Sequence, residues 1–302
     1  MVALFGGVLV ALSMPPWGWW PLAFVGIIVF ELALGDEPSR PRRALAGFAF
    51  GVGWMYPAMA WMWFLTVPGY FFACALFAGF HAAAAAIAPT GRWRAIGRPA
   101  AHTIAEMVRF VAPFGGVPLA SLGISQAGGP LLGVARLGGV PLITWLVFQV
   151  GFTVARPLRA AVLRVRDSRR ASAISSHHIG VAHIEVVAMS VAVLVVVVAA
   201  IAPEGSDRPV APMRIAAVQG GGEQGTRALD VPSSIVTDRH LEATRTIEPD
   251  PELDLVVWPE NGIDVNRRDF LGSDEYKAVL AEAQRLGVPI SVGVTLDSEY
   301  SL

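Results

Sequence analysis

The chain has 302 residues, of which 54% are hydrophobic and 16% are charged. Soluble domains average roughly 25% charged residues, so this composition is that of a membrane protein, and the length suffices for about two domains. The net charge of −1 gives no electrostatic basis for binding nucleic acid, and the single cysteine excludes a disulfide bond within the chain.

The hydrophobic segments predict a polytopic α-helical membrane domain over residues 1–203. A bilayer is crossed by about 20 residues, so the long uncharged stretch between Arg43 and Arg92 holds two spans. We place their boundary at Val67-Pro68-Gly69, because proline and glycine end helices. The predicted spans are 2–13, 19–34, 44–66, 69–89, 99–113, 131–155 and 182–202.

Arginines in alternate loops predict how this domain is oriented. The loops 14–18, 67–68 and 114–130 contain no lysine or arginine. Cytoplasmic loops carry an excess of basic residues, so we predict a multi-pass protein of the cell membrane with a cytoplasmic N-terminus. Residues after about 203 are then extracytoplasmic. The arginines assigned to the cytoplasmic loops are Arg40, Arg42, Arg43, Arg92, Arg94, Arg98, Arg156, Arg159, Arg164, Arg166, Arg169 and Arg170.

Ionisable residues within the spans are candidates for function. Glu106 and Arg109 are spaced at i, i+3, so they can pair on one face of the fifth span. Such a pair either takes part in function or neutralises itself while packing the bundle. His81 and His102 are isolated in the sequence and are interpreted as structural, and Cys74, among phenylalanines, is interpreted as a small core residue.

Residues 113–130 are apolar but too rich in glycine and proline for a helix. Irregular backbone is tolerated in a membrane only where it is buried in protein or lines a cavity. This segment is therefore either a loop that receives acyl chains or a re-entrant packing loop. Gln126 is its candidate binding residue.

After a linker at 204–212, residues 213–302 predict an α/β domain with strands at 213–218, 253–258 and 288–294. One helix runs from a cap at Ser233 or Ser234 to about Ile247, and a second runs from Ser273 to Leu286 and is closed by Gly287. Alternating strands and helices favour a mostly parallel sheet with right-handed connections.

Glu260 follows the second of these strands directly, in Trp258-Pro259-Glu260. Sheets of this kind place catalytic groups just past the carboxyl ends of their strands, which makes Glu260 a candidate catalytic carboxylate. The alternative is a carboxylate that caps a loop or helix. Asn261 and Asp264 lie nearby, but the segment has no cluster of histidine or cysteine, so we expect no metal and no cofactor.

Three motifs in residues 213–294 resemble the start of a nitrilase-superfamily (carbon–nitrogen hydrolase) domain: Ile215–Gln219, Leu255–Glu260 and Val288–Gly293. The membrane half contains four further motifs, namely Pro15–Leu22, the glycines of Gly47–Gly53, Glu106–Arg109 and Leu122–Gln126. With these motifs the membrane half is similar to the apolipoprotein N-acyltransferase family. In that family seven spans precede an extracytoplasmic nitrilase domain and one span follows it. The resemblance therefore implies a membrane domain followed by the first part of an α-β-β-α sandwich.

The resemblance implies a Glu-Lys-Cys triad in which Glu260 is the general base for the thiol. The implied reaction moves an acyl chain from a phospholipid, through a thioester, to the N-terminal diacylglyceryl-cysteine of apolipoproteins. Glu106, Arg109 and Gln126 are candidate substrate-binding residues. The family's lysine and cysteine fall beyond Leu302, and Lys277 does not match the family's lysine context. We therefore expect an N-terminal fragment that is inactive alone.

Two other functions remain open at this point. One is a membrane-anchored amidase of the nitrilase superfamily, which the apolar segment 113–130 disfavours because a small polar amide needs no lipid-facing cavity. The other is a membrane partner without enzymatic activity. Some actinobacterial membrane domains of this type partner a polyprenyl-phosphate mannosyltransferase, and the arginine-rich composition suits such a genome.

Overall fold

The computed structural model describes residues 1–35, 38–113, 115–166, 177–203, 211–221, 232–260, 262–266 and 270–297. Within the chain, contacts define two compact units, Met1–Glu204 and Gly205–Leu302. The first unit is helical and the second combines helices with short strands.

The first unit has a helix in each of the seven regions predicted to span the membrane. Three described segments are long and apolar enough to cross a bilayer, namely Val67–Ile87, Leu132–Ala161 and His183–Ile201, and the apolar helices α1 and α2 are shorter. The count of seven spans and their orientation stay predictions. The helices are α1 Val2–Leu12, α2 Pro21–Leu34, α3 Arg40–Ala58, α4 Val67–Ile87, α5 Arg94–Arg109, α6 Leu122–Ser125, α7 Ala135–Arg166 and α8 His177–Ile201.

Several helices of the first unit differ from the prediction in their extent. The third helix was expected to continue to residue 66, but α3 ends at Ala58 and a 3-10 helix follows at Ala60–Phe64. Pro57 accounts for the early end, because proline removes a backbone donor and its ring obstructs the preceding turn. One helical turn, α6, also forms inside the segment that was predicted to lack helix, where the Ser121 hydroxyl accepts from the Ile124 N–H.

Arginines that the sequence assigned to loops belong to helices instead. Arg43 lies in α3, and Arg94 and Arg98 lie in α5. Helix α7 also continues past the predicted end of the sixth span and includes Arg156 and Arg159. The predicted loop boundaries were therefore wrong. A helix can include these arginines because the long stem lies along the helix while the guanidinium reaches polar groups at the end of the bundle.

Aromatic side chains fill the interior of the bundle, and glycines let its helices approach closely. The rings of Phe30 and Phe50 stack at a centroid distance of 4.2 Å. Gly7 of α1 faces the backbone of α3, where an added Cβ would lie 2.0 Å from the carbonyl oxygen of Phe50. Only glycine allows the two backbones to come this near.

The second unit contains a three-stranded parallel sheet of order β1-β2-β4. Its strands are β1 Ile215–Ala217, β2 Leu255–Val257 and β4 Ile290–Ser291, shorter than predicted and in the predicted places. A second parallel pair, β3 Ile263–Asn266 and β5 Val294–Asp297, was not predicted. Helix α9, Ser233–Arg245, precedes β2, and helix α10, Asp274–Leu286, precedes β4.

The start of α10 and its end match the sequence signals. The hydroxyl of Ser273 accepts from the N–H of Tyr276 at 3.0 Å, and Gly287 ends the helix at φ 72°, in the left-handed region. The predicted serine cap of α9 was wrong. That helix begins at Ser233, its N-cap position is Pro232, and no side chain caps it.

Candidate active site

Glu260 lies in the turn that follows the middle strand of the three-stranded sheet. The pairing of β2 continues into this turn, because the N–H of Trp258 donates to the carbonyl of Ser291 at 2.8 Å. Trp258 is buried, whereas Glu260 is exposed. The structure thus places an accessible carboxylate past the carboxyl end of a central parallel strand, where the sequence predicted it. Asn261 lies outside the described residues.

Helix α9 contacts the turn on both sides of Glu260. The indole Nε1 of Trp258 donates to Oγ1 of Thr244 at 2.9 Å. Two residues past Glu260, the carbonyl oxygen of Gly262 accepts from Oγ1 of Thr237 at 3.0 Å. These two threonines were not identified from the sequence.

The only lysine and the only cysteine of the chain have other surroundings. Lys277 is exposed on α10 and its Nζ lies 2.9 Å from Oδ1 of Asp274, which suits the predicted solvated helix face. Cys74 is buried in α4, with its sulfur 3.6 Å from the carbonyl oxygen of Met55. Cys74 therefore has the environment of the core residue that the sequence predicted.

In the first unit, Glu106 and Arg109 form a buried ion pair on α5, as their spacing predicts. Nε and NH2 of Arg109 donate to the two carboxylate oxygens of Glu106 at 3.0 and 2.7 Å. Their side chains are each 1% exposed. A pair that is shielded from solvent and bidentate has a fixed geometry as well as a favourable charge interaction.

Arg109 also connects α5 to the apolar segment that follows it. Its NH1 donates to the carbonyl oxygens of Val117 and Leu119 at 2.5 and 2.6 Å, and the Val117 N–H donates back to the Arg109 carbonyl at 2.9 Å. One guanidinium therefore bridges Glu106 and two backbone carbonyls. Since the carbonyls belong to the described part of 113–130, Arg109 anchors the first half of this segment to α5.

His81 and His102 extend the same group of polar side chains into the bundle. Their Nδ1 atoms are 3.0 Å apart, and Nε2 of His81 is 3.4 Å from the carboxylate of Glu106. The two histidines are isolated in the sequence but not in the fold. They are 21 residues apart in sequence, and the packing of α4 against α5 brings their rings together.

Gln126 fixes the far part of the same segment. Its amide nitrogen donates to the carbonyl oxygen of Trp20 at 3.3 Å and to Oγ of Ser125 at 3.1 Å. The side chain is buried, and its Oε1 has no hydrogen-bond partner among the described residues. The segment is thus held by Arg109 at one end and by Gln126 at the other.

A second set of buried charges was missed from the sequence. NH1 of Arg98 pairs with Oε1 of Glu31, and NH2 of Arg98 donates to the carbonyl of Gly35 at 3.2 Å. NH1 and NH2 of Arg43 donate to the carbonyls of Ala88 and Ala86. The signal that could have found this set is Glu31 itself, an acidic residue within an otherwise apolar helix.

The first unit, Met1–Glu204, contains the segments that can cross a membrane and is referred to as the membrane unit. Most of it matches a known family. A family described as the apolipoprotein N-acyltransferase N-terminal domain matches residues 6–153. Curated apolipoprotein N-acyltransferases are also similar, with 29% identity for the one from Azotobacter vinelandii, 30% for Pseudomonas putida and 26% for Mycolicibacterium smegmatis. These alignments cover 96%, 99% and 96% of this chain. The chain spans 57%, 60% and 50% of the length of those relatives.

Proposed function

Because the chain belongs to the apolipoprotein N-acyltransferase family, we propose that the complete protein N-acylates apolipoproteins at the cell membrane. The acyl donor is a phospholipid, and the acceptor is the free α-amino group of an N-terminal diacylglyceryl-cysteine. The observation that carries the proposal is the exposed carboxylate of Glu260 past the central strand, in a chain whose membrane unit matches the family.

In this reaction Glu260 is the general base. It takes the proton from the thiol of the family's cysteine, and the thiolate attacks the ester carbonyl of the phospholipid. The bond to the glycerol oxygen breaks, that oxygen takes up the proton, and a lysophospholipid leaves. The family's lysine stabilises the oxyanion. The amine then attacks the thioester, the carbon–sulfur bond breaks, and the sulfur recovers a proton as the amide forms.

The role proposed for the membrane unit is to bind the acyl chains of the phospholipid donor. Arg109, oriented by Glu106, binds two backbone carbonyls of the apolar segment 113–130, and Gln126 connects that segment to the carbonyl of Trp20. The buried, hydrogen-bonded state of Glu106 and Arg109 supports a role in shaping this segment more than direct contact with a charged headgroup.

The direct test uses the full-length protein in vesicles that contain a phospholipid with a radiolabelled acyl chain and a synthetic diacylglyceryl-cysteine peptide. We expect label to appear on the peptide amine, and a labelled acyl-enzyme to accumulate when the peptide is omitted. Absence of both products from a folded protein would contradict the proposal. Hydrolysis of small amides would support a membrane-anchored amidase instead, and co-purification with a polyprenyl-phosphate mannosyltransferase without acyl transfer would support a partner role.

The reaction also requires a particular topology. The donor and the lipoprotein amine are reached from the outer face of the membrane, so residue 260 must be extracytoplasmic. With the seven predicted spans, the N-terminus is then cytoplasmic. Reporter fusions after Leu302 and before Met1 measure this directly. A cytoplasmic reporter signal for the second unit would contradict the proposed function.

A further inference from the structure

Helix α9 presents three polar side chains along one face, and two of them hydrogen-bond the turn that carries Glu260. Thr237, His240 and Thr244 occur at i, i+3 and i+7, a spacing that aligns side chains along one side of a helix. All three are buried, with at most 2% of their surface exposed. We refer to Thr237, His240 and Thr244 as the α9 stripe.

Thr237 fixes the part of the turn after Glu260. Its hydroxyl donates to the carbonyl oxygen of Gly262, a buried residue. Gly262 in turn lies close to Trp258, since a Cβ added at Gly262 would be 3.4 Å from the indole ring. The turn therefore folds back on its own first residue, and Thr237 holds it in that state.

Thr244 fixes the part of the turn before Glu260. A threonine hydroxyl has one proton to donate, and Thr244 gives it to the carbonyl of His240 at 2.7 Å. Its lone pairs then face the indole N–H of Trp258, which donates at 2.9 Å. The helix backbone thus orients the hydroxyl that binds Trp258.

His240 occupies the space between these two contacts. Its Nδ1 lies 2.7 Å from the carbonyl oxygen of Val236, and its ring centroid is 5.2 Å from that of Trp258. On another side, Gly220, which follows β1, packs so closely that a Cβ added there would be 2.7 Å from the backbone nitrogen of His240. His240 therefore keeps α9 in register with the ends of β1 and β2.

From these contacts we infer that Thr237 and Thr244 are positioning residues for Glu260. Thr237 binds the backbone of residue 262, and Thr244 binds the side chain of residue 258, so the two contacts flank the carboxylate. Neither threonine needs to contact the substrate. Apolar packing alone would bury Trp258 without setting its direction, whereas a hydrogen bond has a preferred angle. The inference rests on the proposed role of Glu260 as general base.

The test compares Thr237→Val and Thr244→Val, which keep the side-chain volume and lose the hydroxyl, in the full-length protein. The matched control is Thr246→Val, since Thr246 is exposed at the end of the same helix and its hydroxyl donates only to Ala243. The measurement is the rate of acyl-enzyme formation from labelled phospholipid across donor concentrations. Displacement of a catalytic group by about 1 Å can cost roughly a hundredfold in rate, so we expect a ten- to hundredfold loss at saturating donor.

Three features separate positioning from general damage. The donor concentration at half-saturation should stay unchanged in both valine variants, because donor binding is elsewhere. Thr237→Ser and Thr244→Ser should recover most of the rate, because they restore the hydroxyl. Trp258→Phe should match Thr244→Val, and the double variant should be no slower than either single one.

The outcomes discriminate between the two proposals. Folded valine variants with the control's rate would overturn the inference, and so would serine variants as slow as the valine ones, because packing would then explain the loss. If the valine variants do not fold, the serine variants and Trp258→Phe decide on the same criteria. If the unmodified protein forms no acyl-enzyme, the proposed function falls. The positioning role is then judged by the rate at which the family's cysteine is alkylated at neutral pH. This rate should be lower in Thr237→Val and Thr244→Val and unchanged in the Thr246→Val control.

Discussion

Glu260 of the second unit has an environment opposite to that of two glutamates of the membrane unit, Glu31 and Glu106. In the membrane unit Glu31 and Glu106 are buried, and each contacts an arginine directly. In the second unit Glu260 is exposed, and the residues around it are the ones that are buried and hydrogen-bonded. A carboxylate used for proton transfer must be reachable, so its position is fixed through its neighbours. A carboxylate within a bundle can be fixed by its own contacts.

The physical reason for the contrast is solvation. A charge in the interior of a membrane protein cannot be hydrated, so it persists only with an opposite charge or with backbone dipoles. Arg109 uses both, since it binds Glu106 and two backbone carbonyls. These contacts let Arg109 shape the bundle.

The largest effect is expected from removing the exposed carboxylate. Glu260→Gln in the full-length protein should reduce acyl-enzyme formation by roughly 10²- to 10⁴-fold, the usual contribution of a general base. The thermal unfolding temperature should stay close to that of the unmodified protein, because the side chain is exposed. A retained rate would show that Glu260 is not the base.

Removing one residue of the buried Glu106–Arg109 ion pair should, in contrast, have a large effect on stability. Arg109→Gln leaves Glu106 buried without its main cation, and removal of one partner of a buried pair costs about 3–5 kcal/mol. Thermal unfolding in detergent measures this loss. The control is Arg92→Gln, because Arg92 is an exposed cation that lies 5.3 Å from the Trp93 ring and should contribute no more than about 1 kcal/mol. Equal losses for both variants would contradict a special role for burial.

Close packing in the membrane unit predicts a smaller effect. In Gly7→Ala the new methyl group would meet the Phe50 carbonyl of α3, and overpacking of this kind costs about 1–3 kcal/mol. Gly79→Ala is the matched control, because nothing lies within 4 Å of a Cβ added there. We expect the control to be neutral or stabilised by up to about 1 kcal/mol, since alanine favours helix over glycine. Thermal unfolding of both variants checks the difference.

The smallest effect is expected at an exposed carboxylate of the second unit. A hydrogen bond from the backbone N–H of Glu252, together with Arg214, holds the pKa of Asp250 below the ordinary aspartate value of 3.8. A lowered folded pKa stabilises the protein above the unfolded pKa, and this contribution is lost as the pH falls through the folded pKa. Asp250→Asn should therefore be slightly less stable near neutral pH, and the difference should vanish in acid. A difference that grows in acid would contradict this assignment.

Local features of the chain were predictable from the sequence. The regions of the seven long helices and of three strands follow from runs of apolar residues. The ends of α10 follow from Ser273 and Gly287, whose capping chemistry acts within one helical turn. The Glu106–Arg109 pair follows from its spacing, and the place of Glu260 follows from its position after an apolar strand. Each of these depends on residues that are near one another in the chain.

Contacts between distant residues were decided by the tertiary structure alone. The contacts of His81 with His102 and of Glu31 with Arg98 could not be predicted from the sequence. The same holds for the hydrogen bonds of Thr237 and Thr244 to the turn around Glu260. Propensity, periodicity and capping act over a few residues. The direction in which a buried side chain finds its partner depends on how whole helices and strands pack, and that packing is set by all the elements of a unit together.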